Sequence, residues 1–383
     1  MLLHRSHPGL RAIALFLAVA LASLGFLRAA ADFDAISNQA AQARESGRLL
    51  DAVKLYRQAV ELRPDWLEGL WYLGTLLYDA DRHAEARDYF KKFVELSPEN
   101  GPAWAFLGLC YFRTAEYEAS LGSLDRARRL GLGESGQLVS VVRYHMAILL
   151  SHSGRFEDAI EALKEFALKN VRSPDILEAF GLCTLRMKWL PAEVPPERRE
   201  LILKAGAAAY EAAAFRFEAA EDLFEKLIQD YPGEPNVHYA FGAVLASMRG
   251  MQGLSRQEAM EQFEAELRIQ PNHLPSLLQI ALTHIEQGGF EEALPYVNRA
   301  IEADPNSFVA RYALGQIQLA EGNLPEAIET LKQAVSLEPM SPEVRFTLAR
   351  AYQKAGRDDD AARERAEFER LSKLKKATIQ VLQ

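Results

Sequence analysis

The sequence predicts an all-α solenoid of about nine helix-turn-helix repeats. Three observations carry this. Prolines recur 34 residues apart, as Pro64 and Pro98 and again as Pro271, Pro305 and Pro339. A Leu/Phe-Gly pair recurs upstream of them, at Leu73-Gly74, Leu107-Gly108, Phe241-Gly242 and Leu314-Gly315. Seven alanines (Ala52, Ala86, Ala159, Ala220, Ala259, Ala293 and Ala327) each precede an apolar residue four positions on, at Tyr56, Phe90, Leu163, Phe224, Phe263, Val297 and Leu331. A fixed period of this length marks stacked supersecondary units, because one unit cannot bury its apolar face alone.

The elements of one unit follow from its residues. In 308–341, Leu314 and Ile317 share one helix face, and Ala327 and Leu331 share a face of the next. Gly315 and Ala327 are small, so the two helices can approach closely. Gly322-Asn323 ends the first helix through a left-handed cap, and Pro339 stops the second. Gly154-Arg155, Gly288-Gly289 and Gly356-Arg357 repeat the turn.

Trp104, Leu107, Gly108 and Tyr111, followed by Leu124 and Ala127, extend the pattern. In this it resembles the tetratricopeptide repeat, W-x2-L-G-x2-Y then A-x3-F then P in 34 residues. The units run 33–66, 67–100, 101–134, 140–173, 201–234, 235–273, 274–307, 308–341 and 342–375, with insertions at 135–139, at 174–200 and inside 235–273. The fifth is weak on its first helix, where Lys204 and Glu211 replace aromatics. The last is polar on its second helix at Arg365, as a terminal cap should be. Leu177, Phe180 and Gly181 look like a first helix without a second. Pro191, Pro195 and Pro196 then break the chain. The expected organisation is 32–190 as an N-terminal array, 191–200 as a Pro-rich joint, 201–375 as a C-terminal array and 376–383 as a tail. The resemblance further implies a right-handed superhelix.

Residues 1–31 read differently. Arg5 and Arg11 precede an uncharged, mostly apolar run over 12–27, and Ala29-Ala30-Ala31 follows. This is the pattern of a secretory signal peptide cut between Ala31 and Asp32. The expected location is secreted or periplasmic. The alternative is a membrane anchor made by 12–27, although that run is short for a span.

Composition removes several function classes. A formal charge of −9 with no long basic block argues against a nucleic-acid surface. Two cysteines in 383 residues are no disulfide framework. Cys110 and Cys183 occupy equivalent slots on two first helices and read as buried thiols. The chain has no phosphate-binding G-x-x-x-x-G-K-[ST], no H-E-x-x-H and no G-x-S-x-G. His145 and His152 lie two turns apart without a third ligand, so neither metal nor other cofactor is expected. The acidic runs Glu291-Glu292 and Asp358-Asp359-Asp360 open second helices, where the helix dipole favours them.

The resemblance implies a concave groove lined by first helices at repeat positions 2, 5, 9 and 12. Carried onto this chain, these are Glu68, Trp71, Thr75 and Tyr78, then Pro102, Ala105, Leu109 and Phe112, then Val141, Tyr144, Ile148 and Ser151. Tyr239, Leu278, Tyr312 and Phe346 continue the series. The candidate peptide-groove residues are Trp71, Thr75, Tyr78, Phe112, Tyr144, Tyr239, Tyr312 and Phe346. Their alternative role is packing between helices. Lys and Asn are missing from positions 5 and 9, so the clamp that related domains use for acidic chaperone tails is absent. The implied function is a non-catalytic scaffold for a protein or peptide segment. The alternatives are a membrane-tethered assembly factor of a pilus, secretion or outer-membrane machine, and an enzyme framed by repeats.

Overall fold

The computed structural model describes residues 31–133, 136–247 and 254–382. The expected leader and its alternative anchor at 12–27 lie outside them. The described residues contain helices and no strand. α1 covers 31–45 and α2 Leu49–Leu62. Next come α3 (Leu67–Asp79), α4 (His83–Leu96), α5 (Gly101–Arg113), α6 (Tyr117–Leu130), α7 (Gly136–His152) and α8 (Phe156–Leu168). α9 (Pro174–Thr184) is an additional helix with no second helix of its own repeat. The pairs resume with α10 (Arg199–Ala213), α11 (Phe217–Asp230), α12 (Val237–Ser247), α13 (Leu254–Ile269), α14 (Leu274–Glu286) and α15 (Phe290–Ala303). They end with α16 (Phe308–Glu321), α17 (Leu324–Leu337), α18 (Pro342–Lys354) and α19 (Asp358–Leu382). Among the described residues, nine helix pairs and one extra helix thus form an all-α repeat solenoid. By its contacts the chain divides into two compact units, one ending at Leu163 and one beginning at Lys164.

The repeat signature is the core. All seven alanines and their apolar partners four residues on are buried. Gly315 faces Leu331, and a Cβ added there would stand 2.6 Å from that side chain. Gly322 takes φ 85°, the left-handed cap its turn requires. Packing is local: each substantial helix contact joins neighbours one or two places apart along the chain. Cys110 and Cys183 are buried thiols. Burial pushes the Cys110 thiol up to about 12, which removes thiolate chemistry at neutral pH.

The segment 185–198 is packed rather than extended. It makes two 3-10 turns, Pro191–Glu193 and Pro196–Arg198. Leu185 and Val194 join Leu201, Ile202 and Phe241 in one apolar cluster. Beside it, α9 and α10 approach unusually closely. A Cβ on Gly206 would lie 1.8 Å from the Leu177 carbonyl oxygen, and one on Gly181 would lie 1.9 Å from that of Ile202. Glu211, read above as a weakness of α10, is buried and ion-paired with Arg172 at 2.9 Å and with Arg216.

The start of α12 is capped from another helix. Asn236 precedes it at φ 70°, and its side-chain amide donates to the Leu185 carbonyl at 3.0 Å. The capping acceptor is therefore Glu266 of α13, wholly buried. It accepts from the Asn236 and Tyr239 backbone N–H groups at 2.9 and 3.2 Å, and from the Gln270 amide at 2.8 Å. The same corner holds His273, hydrogen-bonded through Nδ1 to Ser276 Oγ at 2.8 Å. Burial lowers the His273 pKa from 6.5 to about 4, with Glu266 opposing and Arg186 reinforcing the shift. Below pH 6.5 the unfolded chain therefore binds a proton that the folded chain refuses. Stability present above pH 6.5 should fall as pH drops towards about 4. In urea melts at pH 7 and pH 4.5, His273→Gln should narrow the difference between the two midpoints. An unchanged difference would remove His273 as its source.

Candidate peptide-binding cleft

In the unit that ends at Leu163, a cleft of about 350 Å3 opens at the N-terminal ends of α3 and α5. It is lined by Leu67, Glu68, Trp71, Tyr72, Phe93, Asn100 and Pro102. Asn100 fixes one wall by capping α5, its Oδ1 accepting from the Ala103 N–H at 2.9 Å. Pro102 occupies the first turn of that helix, where a missing N–H costs nothing.

Trp71 links cleft and core. Its ring meets Phe106 edge-on at 5.5 Å and lies 5.9 Å from both Phe90 and Phe93. Phe90 is fully buried and Phe93 nearly so, so the indole rests on a rigid aromatic floor. Its remaining surface faces the cleft. The packing role weighed for this residue is therefore present, and the same side chain borders the cleft.

The other candidates follow from the same helices. Thr75 is half-buried, and its hydroxyl donates to the Trp71 and Tyr72 carbonyls at 3.1 Å, so its polarity is used within α3. Tyr78 is half-buried and edge-on to Phe106 at 5.6 Å. Burial raises the Tyr78 pKa, with Arg113 pulling against it. Phe112 meets His145 edge-on at 4.8 Å, and Tyr144 meets the same imidazole at 5.5 Å. Trp71 and Tyr78 thus share Phe106, while Phe112 and Tyr144 share His145. His145 is a ring partner whose pKa burial lowers, and its Nδ1 lies 2.8 Å from the Val141 carbonyl. Among the described residues no group of three or more His, Cys, Asp or Glu is placed to hold a metal ion.

Four groove positions are corrected. Ala105, Leu109 and Ile148 are buried, as is Ser151. The cause is α5 packing directly against α7 in this unit. The position rule identifies a helix face, and the neighbouring first helix covers part of it. Conversely, Tyr72 and Phe93 line the cleft, Phe106 supports Trp71, and His145 packs between Phe112 and Tyr144 away from it. Their aromatic character was visible in the sequence, but their repeat positions are not those of the groove pattern.

The later candidates lie in the other unit. Tyr239 is half-buried between Phe263 at 6.0 Å and His273 at 5.0 Å. Tyr312 stacks on Phe308 and hydrogen-bonds Thr347 Oγ1 at 3.1 Å. Phe346 is 45% exposed, with Phe368 at 5.3 Å.

The model of the tetratricopeptide repeat family matches residues 37–101, 73–132, 278–342 and 319–367, so the helix pairs within those spans are tetratricopeptide repeats. Repeats of this kind typically mediate protein–protein interaction. Among curated proteins, human protein O-mannosyl-transferase TMTC3 is 30% identical over 147 residues, which are 38% of this chain and 15% of TMTC3. The mouse protein of the same name is 35% identical over 75 residues, 20% of this chain and 8% of its own length. The chain thus spans a small part of these relatives. Among solved structures, a MamA RS-1 double mutant is 20% identical, with a TM-score of 0.42 over 46% of this chain and 97% of that one. MamA 41-end from Desulfovibrio magneticus RS-1 is also 20% identical, with a TM-score of 0.41 over 45% and 96%.

Proposed function

We propose that this chain is a non-catalytic scaffold that holds a segment of a partner protein against the first helices of its N-terminal unit. The supporting observation is Trp71, half-buried over Phe90, Phe93 and Phe106 and bordering a 350 Å3 cleft. An aromatic anchor held rigid by its neighbours loses little entropy on binding, which is what makes such residues dominate interfaces. The rim carries Glu68 and the capping Asn100, which can orient a bound backbone.

The test is photocrosslinking in the full chain. A benzoylphenylalanine at position 68 should capture a discrete partner, while the same group at position 92 on α4 should not. Trp71→Ser, folded by circular dichroism, should weaken that capture at least tenfold, in line with hot-spot losses of about 2 kcal/mol or more. Equal capture at both positions, or capture insensitive to Trp71→Ser, would refute the cleft as the site.

We further propose that the scaffold works outside the cytoplasm after cleavage between Ala31 and Asp32. Residues 12–27 support the second reading, a membrane-tethered assembly factor of a pilus, secretion or outer-membrane machine. N-terminal sequencing of the purified protein separates the two. A start at Asp32 excludes the tether, and an intact leader in the membrane fraction supports it.

A further inference from the structure

A second hollow lies in the unit that begins at Lys164, on the first helices of the last three repeats. Its volume is about 160 Å3. Ile285 of α14, Phe290 at the start of α15 and Leu319 of α16 give it an apolar lining, and Gln316, Arg350 and Lys354 stand around it. An apolar cavity of about 150 Å3 accepts a benzene-sized group, so one aliphatic or aromatic side chain fits.

Three nearby cations are paired: Arg345 of α18 with Glu364 at 2.9 Å, Arg357 of the following turn with Asp360 at 2.6 Å, and Lys375 of α19 with Glu343 at 2.9 Å. Among the described residues the side chains of Arg350 and Lys354 form no ion pair or hydrogen bond, and neither does that of the half-buried Gln316. Both cations are exposed. Four residues apart on α18, they stand side by side and repel one another. The C-terminal end of the helix dipole offsets this for Lys354, the last residue of α18. Arg350 lies a full turn earlier. The exposed Phe346 lies one turn before it on the same helix. An anion seated between the two cations would relieve the repulsion, and a guanidinium matches a carboxylate in shape.

We propose that this hollow is a second binding site, specific for an acidic peptide segment in which Asp or Glu flanks one aliphatic or aromatic residue. The apolar side chain enters between Ile285, Phe290 and Leu319. The carboxylate bridges Arg350 and Lys354, and the Gln316 amide meets the bound backbone. This rests on the reading of first helices as peptide-binding surfaces, and adds a partner chemistry that the Trp71 cleft does not specify.

The experiment is selection of phage-displayed random dodecapeptides on three full-length proteins: native, Trp71→Ser, and Arg350→Glu/Lys354→Glu. Circular dichroism verifies each fold, and Arg350→Gln/Lys354→Gln replaces the reversal if that unfolds. Peptides pairing an acidic residue with Leu, Ile or Phe should be enriched on the native chain and on Trp71→Ser. Their recovery should fall at least tenfold on the charge variant. Absence of such peptides from the native selection, or their retention on the charge variant, would overturn the proposal. Peptides lost only with Trp71→Ser report the N-terminal cleft, so failure of one site is told apart from failure of the other. Sedimentation with phosphatidylserine vesicles is the last arm. Binding that needs Arg350 and Lys354, without acidic-peptide enrichment, would make the ligand a membrane surface and overturn the peptide assignment.

Discussion

Replacing Gly206 by alanine is expected to destabilise the unit that begins at Lys164 by about 3 kcal/mol, at the upper end of the range for overpacking. Two effects oppose each other. Alanine is the better helix former by about 1 kcal/mol. Against that, its Cβ would stand 1.8 Å from the Leu177 carbonyl oxygen and 2.9 Å from the Gly181 nitrogen. Those are backbone atoms of α9, so no side chain can swing aside, and relief requires α9 and α10 to separate. Sterics therefore win. The control is Gly122→Ala in α6, where nothing lies within 4 Å of the added carbon. It should stabilise by roughly 0.5–1 kcal/mol. Urea titrations followed by circular dichroism give both values. Opposite signs for the same substitution are the expected result, and a neutral Gly206→Ala would show that the two helices are not in backbone contact.

Glu266→Ala is expected to cost roughly 3–5 kcal/mol, because it strands several donors at once around a wholly buried carboxyl group. The Asn236 and Tyr239 N–H groups and the Gln270 amide would lose their acceptor. Asn236 cannot substitute, since its side chain is committed to the Leu185 carbonyl. Loss should be concentrated at the start of α12. In hydrogen exchange, the amides of Asn236 and Tyr239 should lose protection well before those of α16 and α17. Uniform loss across the unit, or a penalty under about 1 kcal/mol, would mean that water replaces the carboxyl group. Glu266→Gln keeps one acceptor oxygen and should recover part of the loss.

The helix pairs were legible in the sequence because their contacts are local. Gly315 must meet Leu331 sixteen residues later, and both positions recur with the period. The close approach of Gly181 and Gly206 was not legible. It joins helices across a connector of irregular length, and no repeat supplies a template for it. Glu211 was misleading for a related reason. A carboxylate in an aromatic slot reads as a defect until Arg172 and Arg216 are seen beside it. Glu266 lay at an unremarkable position, and its capping role exists only because Asn236 turns away. For the cleft, Trp71 was legible as a recurrent aromatic off the core signature. The burial of Ala105, Leu109 and Ile148 was not, since a position rule fixes direction and not what stands opposite.

The restriction of helix contacts to near neighbours along the chain has a consequence in time. Each contact closes only a short loop, so little chain entropy is lost before it forms. Any repeat with its neighbour can serve as a starting point for ordering, and structure then spreads outward from it. Folding of each unit should be rapid for its size and tolerant of damage at a single helix. Rupture should begin at chain ends and at locally weak pairs, travelling repeat by repeat. A substitution in α12 would then set the speed at which its own neighbourhood opens and leave the closing rate of distant pairs unchanged.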